Sequence, residues 1–139
     1  MANDRARAED TREWLGKARE DLQAAKRLLK PPRRLSNSAV FHCQQAAEKA
    51  LKGFLSWHDI PFRKTHNLLE IGGACVDFVP SLKELVDRAG PLTEYAWKYR
   101  YPGEVNSAST SEGKQALALA EEIYKAIGSR LPGRVSRQI

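Results

Sequence analysis

With 139 residues, 42% of them apolar and 29% charged, and a formal net charge of +6, the chain reads as one domain long enough to bury a core without disulfides or metal. No apolar run approaches the ~18 residues of a membrane span, and the opening MANDRARAEDTREW has no apolar segment of the kind a secretory signal carries. A cytoplasmic protein is expected, with Cys43 and Cys75, far apart and among apolar neighbours, as reduced core thiols.

Helical periodicity dominates, and neither a repeat nor an alternating strand pattern stands out. The first helix is predicted to start at Asp10, where Glu13 completes a capping-box spacing. Trp14, Ala18, Leu22, Ala25 and Leu29 then form one apolar stripe, and Pro31 and Pro32 end the helix. The second runs from a cap at Ser36 or Asn37 to about His58. Thr65 is the expected cap of a third, HNLLEIGGACVDFV, stopped by Pro80. Ser81 and Glu84 have capping-box spacing for LKELVDRAG, and after Gly90 and Pro91 the segment LTEYAWKYRY reads as helix again. PGEVNSAST reads as a loop. Ser109 and Glu112 make a further capping box for a last helix with its stripe on Ala116, Leu119, Ala120, Ile123 and Ile127 and a glycine cap at Gly128. The expected fold is all-α: an up-and-down antiparallel four-helix bundle with one or two additional short helices, filling residues 1–127 and followed by a basic tail, 128–139. Much of the positive excess lies in KPPRR (30–34) and in that tail, on Arg130, Arg134 and Arg137. Such a surplus suits a nucleotide, RNA or acidic-protein partner, and equally a soluble surface with a loose tail.

The second helix carries the chemistry. On a wheel of 100° per residue, Val40, Cys43, Ala46, Ala47, Ala50, Leu51, Phe54 and Trp57 share one arc, the predicted buried face. The opposite arc holds His42, Gln45, Lys49 and Lys52, flanked by Gln44 and Glu48. Glu48 can pair with Lys52 one turn on, whereas Lys49 has no obvious acidic neighbour within its own helix. That arc is either a solvated face or an anion or nucleotide patch, since two cations and an amide suit a phosphate beside a base. Two more segments can complete a patch: Lys64 and His66 at the start of the third helix, and the aromatic-cationic run YAWKYRYPG with Arg100. Their plainer readings are a capped helix and core or interface anchors. There is no phosphate-cradling glycine loop, no metal-ligand spacing and no arguable Ser/His/Asp set, so neither a metal nor a cofactor is expected.

AVFHCQQAAEKALKGFL, KTHNLLEI and YAWKYRYPGE, in that order and spacing, resemble the HEPN domain (higher eukaryotes and prokaryotes nucleotide-binding), and WLGKAREDLQAAKRLL resembles its first helix. The resemblance covers about Thr11 to Ile127. It implies a bundle of four or five helices, commonly a homodimer. Small prokaryotic members resembling this chain pair with a minimal nucleotidyltransferase, often as toxin–antitoxin systems. There the HEPN member is viewed as the nucleotide- or substrate-binding partner, and the positions to which that role transfers are Gln45, Lys49, Lys52, Lys64, His66 and Arg100. In another branch of the family the domain is a metal-independent endoribonuclease marked by an arginine and, four to six residues later, a histidine. This chain departs from that motif: seven residues separate Arg34 from His42 and two separate Arg63 from His66. Under the ribonuclease alternative, His66 or His42 would move the proton and Arg100 would stabilise the phosphorane charge. A structural dimerisation module is the third alternative.

Overall fold

The first helix begins earlier than its capping signal suggests. In the computed structural model, which describes residues 2–136, α1 spans Ala2–Leu28, and Asp10 and Glu13 lie on its exposed outer side. The buried stripe is Ala8, Thr11, Leu15, Ala18, Leu22, Ala25 and Leu29, alternating steps of three and four. Ala8 and Thr11 are too weakly apolar to announce a helix, so the acidic pair downstream looks like its start. Trp14 stands at the edge of the stripe, its ring edge-on to Phe62 with centroids 6.0 Å apart.

Helix α2 (Ser36–Trp57) is the central element and packs on α1, α3 (Leu68–Phe78), α5 (Thr110–Gly128) and the 3₁₀ segment Gly90–Ala96. Every residue of its predicted apolar face is buried. The three alanines of that face let neighbouring helices approach closely, and Phe54 and Trp57 fill the wider end. No side chain caps α2: Leu35 holds the N-cap position, and Asn37 instead accepts a hydrogen bond from the Ala108 backbone N–H at 2.8 Å.

Four further expectations about helix ends are corrected. Asn67, not Thr65, caps α3, its side chain accepting from the N–H groups of Leu69 and Glu70, while Thr65 accepts from the N–H of Asn67. Residues Pro80–Leu82 form a 3₁₀ turn before α4 (Lys83–Ala89), which has no side-chain cap, so the Ser81–Glu84 spacing is not used as a box. The run after Pro91 is a 3₁₀ segment ending at Ala96, not an α-helix. There the chain reverses through Tyr99 at φ 67° and Gly103 at φ 94°, the left-handed region that stops a helix. Gly128 is the last residue of α5 rather than a left-handed cap, with Ser129 following in helical conformation. The Ser109–Glu112 capping box forms as predicted.

The described residues hold helix and no strand, so the fold is all-α. Three long helices, α1, α2 and α5, carry most of the packing, with α3 at 11 residues and α4 and α6 (Gly133–Ser136) shorter still. The segment read as a basic tail contributes to the core: Leu131 and Val135 are buried, and the Arg134 guanidinium lies 5.2 Å from the centre of the Trp57 ring. Arg137 lies outside the described residues. Both cysteines are free and buried, and burial pushes each thiol up to about 12, with Glu121 and Asp21 adding to the rise at Cys43. They are unreactive core groups. No helix is long and apolar enough to cross a membrane among the described residues.

Candidate functional site

The polar arc of α2 is not an open face. Gln44, Glu48 and Lys52 are 0%, 5% and 7% exposed, so α2 is buried on nearly all sides at its middle. Glu48 is the hub. Its carboxylate accepts from Gln44 Nε2 at 3.0 Å, His66 Nδ1 at 2.7 Å and Lys52 Nζ at 3.0 Å. Gln44 also donates to the His66 carbonyl at 3.1 Å, and Gln45 donates to Gln44 Oε1 at 2.7 Å. Burial alone would raise the Glu48 carboxyl, but the hydrogen bonds from His66, Gln44 and Lys52 outweigh it and hold the group below its usual value of 4.5. The Lys52 ammonium completes the arrangement between the rings of Trp14 and Phe62, at 5.9 and 5.6 Å.

A second network lies toward the start of α2. Asp21 of α1, 7% exposed, accepts from Lys49 Nζ and from His42 Nδ1, both at 2.7 Å. Lys49 therefore has its acid after all, supplied by the neighbouring helix. The contact fixes the His42 tautomer with hydrogen on Nδ1 and leaves Nε2 without a protein partner among the described residues.

Arg100 differs from both lysines. Its guanidinium stacks 4.0 Å from the centre of the Phe41 ring and donates one N–H to the Ala96 carbonyl at 2.9 Å. No carboxylate among the described residues pairs with it. With Asn37, Ser38, Phe41, His42 and Tyr99 it lines a cleft of about 210 Å³. Tyr99 and Tyr95 stack, with centroids 6.2 Å apart, and both hydroxyls donate to Glu112, Tyr95 at 2.5 Å and Tyr99 at 3.2 Å. The Tyr99 N–H donates to Glu104. The turn read as helix in the sequence is thus tied to Glu104 and Glu112 and lines a cleft at the start of α2.

The predicted site residues fall into separate groups. Gln45, Lys52 and His66 join the Glu48 hub, Lys49 joins Asp21, and Arg100 shares its cleft with His42. Lys64 is exposed on the loop before α3, where its neighbour Arg63 pairs with Glu70. Asp21 and Phe41 were not singled out in the sequence as site residues, and Tyr99 entered only as one aromatic of the YAWKYRYPG run. Asp21 did leave a signal: an acid directly beside Leu22 in the apolar stripe has to find a cation. Among the described residues no group of three or more His, Cys, Asp or Glu side chains is placed to hold a metal ion.

The family model of the HEPN domain matches residues 11–130, most of the chain. The chain belongs to the HEPN family. No curated protein and no solved structure matches it. At the coarse level the family supports, the role of this HEPN domain is related to nucleotides or RNA. The geometry then separates two kinds of cation within the HEPN fold: Lys49 and Lys52, each neutralised by a carboxylate, and Arg100, which is not.

Proposed function

We propose that this HEPN domain is a nucleotide-binding module whose phosphate site is the cleft between the start of α2 and the Tyr99–Arg100 turn. One observation carries the reading: Arg100 is braced on Phe41 and on a backbone carbonyl, with no carboxylate partner, and lines a concave surface with His42. A planar guanidinium already held in place loses little entropy when a phosphate arrives. Phe41 and Tyr99 offer aromatic surface for a base. On this reading the domain acts as the nucleotide- or substrate-binding partner of a minimal nucleotidyltransferase in the cytoplasm, as a homodimer and in a toxin–antitoxin pair; the family resemblance is what supports that setting. Lys49 and Lys52 serve the framework, and Gln45, Lys64 and His66 lie outside the phosphate contact.

Calorimetric titration with ATP and GTP at low salt tests the proposal. Heat is expected for the wild type, with affinity reduced about tenfold or more in Arg100→Ala, the effect of losing a charge-assisted contact. An unchanged Arg100→Ala titration, or no heat in the wild type, rejects it.

A second reading has its own observation. His42, oriented by Asp21 and open at Nε2, faces the same cleft as Arg100. That pair fits metal-independent endoribonuclease chemistry, in which His42 takes the ribose 2′-hydroxyl proton, the 2′-oxygen bonds to the adjacent phosphorus, the P–O5′ bond breaks with the proton returned to the leaving 5′-oxygen, and Arg100 stabilises the phosphorane oxygens. RNA cleavage in excess chelator that disappears in His42→Ala would favour this reading over binding alone.

A further inference from the structure

A groove between α1 and α5 shares no residue with the cleft at Arg100. It has a volume of about 270 Å³, with Arg19 and Lys26 on the α1 side, Glu121 and Lys125 on the α5 side, and Leu22 and Tyr124 as its apolar part. The Lys26 ammonium meets the Glu121 carboxylate at 3.5 Å. Nearer the start of α1, Arg12 donates to the Arg134 carbonyl at 3.4 Å. α5 and the segment after it therefore run antiparallel to α1, and Arg12 lies on the same seam.

The cations on the α1 side are evenly spaced. Arg12, Arg19 and Lys26 are seven residues apart. Seven residues are close to two turns, so the three share one side of the helix, with about 10.5 Å of rise between neighbours. Asp10, Glu13 and Glu20 are turned about 100° or more away from that line. Glu121 is the one acid of the lining, and Lys125 has no carboxylate partner among the described residues. An ammonium has three donors, so contact with Glu121 leaves Lys26 able to take another carboxylate. Tyr124 is half-buried; burial raises its phenol and the Arg19 charge opposes the rise, which places that guanidinium near the ring.

The spacing selects among acidic partners. Two antiparallel helices present ridges and grooves into which a third helix packs. A helix with a carboxylate at every seventh residue repeats the rise of about 10.5 Å along one side. An extended strand rises ~3.3 Å per residue and reaches that distance at every third residue, on alternating faces.

We infer that the α1–α5 groove docks an acidic amphipathic helix of a partner protein, with carboxylates one heptad apart on Arg12, Arg19 and Lys26 and an apolar side chain over Leu22 and Tyr124. Charge complementarity steers the encounter and sets the register, and the apolar contact adds burial. The inference stands apart from the nucleotide site proposed above.

The test is fluorescence anisotropy on the full chain with a labelled, alanine-rich helical peptide of about six turns. It carries glutamate at every seventh position with leucine on the same face. An isomer of equal composition has its glutamates five residues apart and so spread around the helix. The heptad peptide is expected to bind about tenfold more tightly than the isomer, and Lys26→Glu and Lys125→Glu should each weaken it by about tenfold. Lys17→Glu makes the same charge change at an exposed α1 position outside the groove and should leave the affinity unchanged. A peptide with lysine in place of one glutamate should recover affinity for Lys26→Glu, which a merely unfolded variant would not show. Equal binding of peptide and isomer, equal losses in Lys17→Glu and Lys26→Glu, or no binding of either peptide overturns the inference. Displacement of the peptide by single-stranded RNA whose own binding is lost in Lys125→Glu would assign the groove to nucleic acid and overturn it as well.

Discussion

The middle and the beginning of α2 carry the same residue types and use them oppositely. At the middle, Glu48, Lys52 and Gln44 are buried and satisfy one another, with His66 closing the set from the loop before α3. Toward the beginning, His42 shares the buried Asp21 with Lys49 from farther along the helix, both part-exposed, and Arg100 lines a cleft with His42 and has no acid of its own. A buried charge costs several kcal/mol to desolvate unless it is paired, so a cation that reaches the interior of the bundle must bring a carboxylate. A cation left without one at a concave surface is free to take a ligand's anion instead. Charge compensation, more than charge, separates framework from candidate site.

The largest expected effect comes from breaking the compensated region. Glu48→Ala leaves Lys52 buried, 7% exposed, without its counter-charge. The expected loss is about 3–5 kcal/mol, a fall in Tm of roughly 10 °C or more for a domain of this size, measured by thermal unfolding. The double variant Glu48→Met with Lys52→Met should recover much of the loss, because it removes both charges and keeps the volume. A Glu48→Ala protein as stable as the wild type would mean that this region is wetter than its burial implies.

Next in size is Asp21→Asn. It removes the negative charge that Lys49 and His42 share and turns one of the two accepting oxygens into a donor, and about 1–3 kcal/mol of stability should go with it. It also uncovers positive charge beside the Arg100 cleft. If compensation is what keeps the beginning of α2 from binding anions more strongly, ATP affinity at low salt should rise several-fold in this less stable variant. Affinity that falls in step with stability would count against the comparison.

The sequence exposed one side of this contrast and hid the other. The apolar arc of α2 was legible because its period of 3.6 residues is a local property, and all eight residues assigned to it are buried. The polar arc was read as one stripe because a helical wheel shows spacing and not neighbours. Its partners come from Asp21, twenty-eight places before Lys49, and from a histidine eighteen places beyond Glu48, contacts that local pattern does not encode. Capping signals misled for a related reason. Asp10 with Glu13 and Ser81 with Glu84 have the right spacing on paper, yet tertiary packing extends α1 past the first pair and places a 3₁₀ turn at the second. Arg100 was visible as a cation among aromatics. That it would lack an acid could be learned only from the fold.

Acid titration probes the compensated region directly. The folded Glu48 carboxyl is held below 4.5, so its contribution to stability is present above that value and is lost as pH falls through the lower folded one. Urea midpoints measured from neutral pH downward should therefore drop in the wild type across this acid range, and the Glu48-dependent part of that drop should be missing in Glu48→Gln. The same downward slope in both proteins would place the acid sensitivity elsewhere.

The smallest expected effect is at Lys64, and its smallness is informative. Lys64 is exposed on the loop between α2 and α3 and belongs to neither buried network nor to the cleft at Arg100. Lys64→Ala should leave stability within about 0.5 kcal/mol of the wild type, the ordinary range for a surface substitution. It should also leave the ATP titration unchanged apart from the small long-range effect of one less positive charge, which 0.15 M salt suppresses. A specific loss of affinity that persists at that ionic strength would draw Lys64 and the neighbouring His66 into the ligand contact. The site would then extend past the compensated middle of α2, and compensation would no longer mark its boundary.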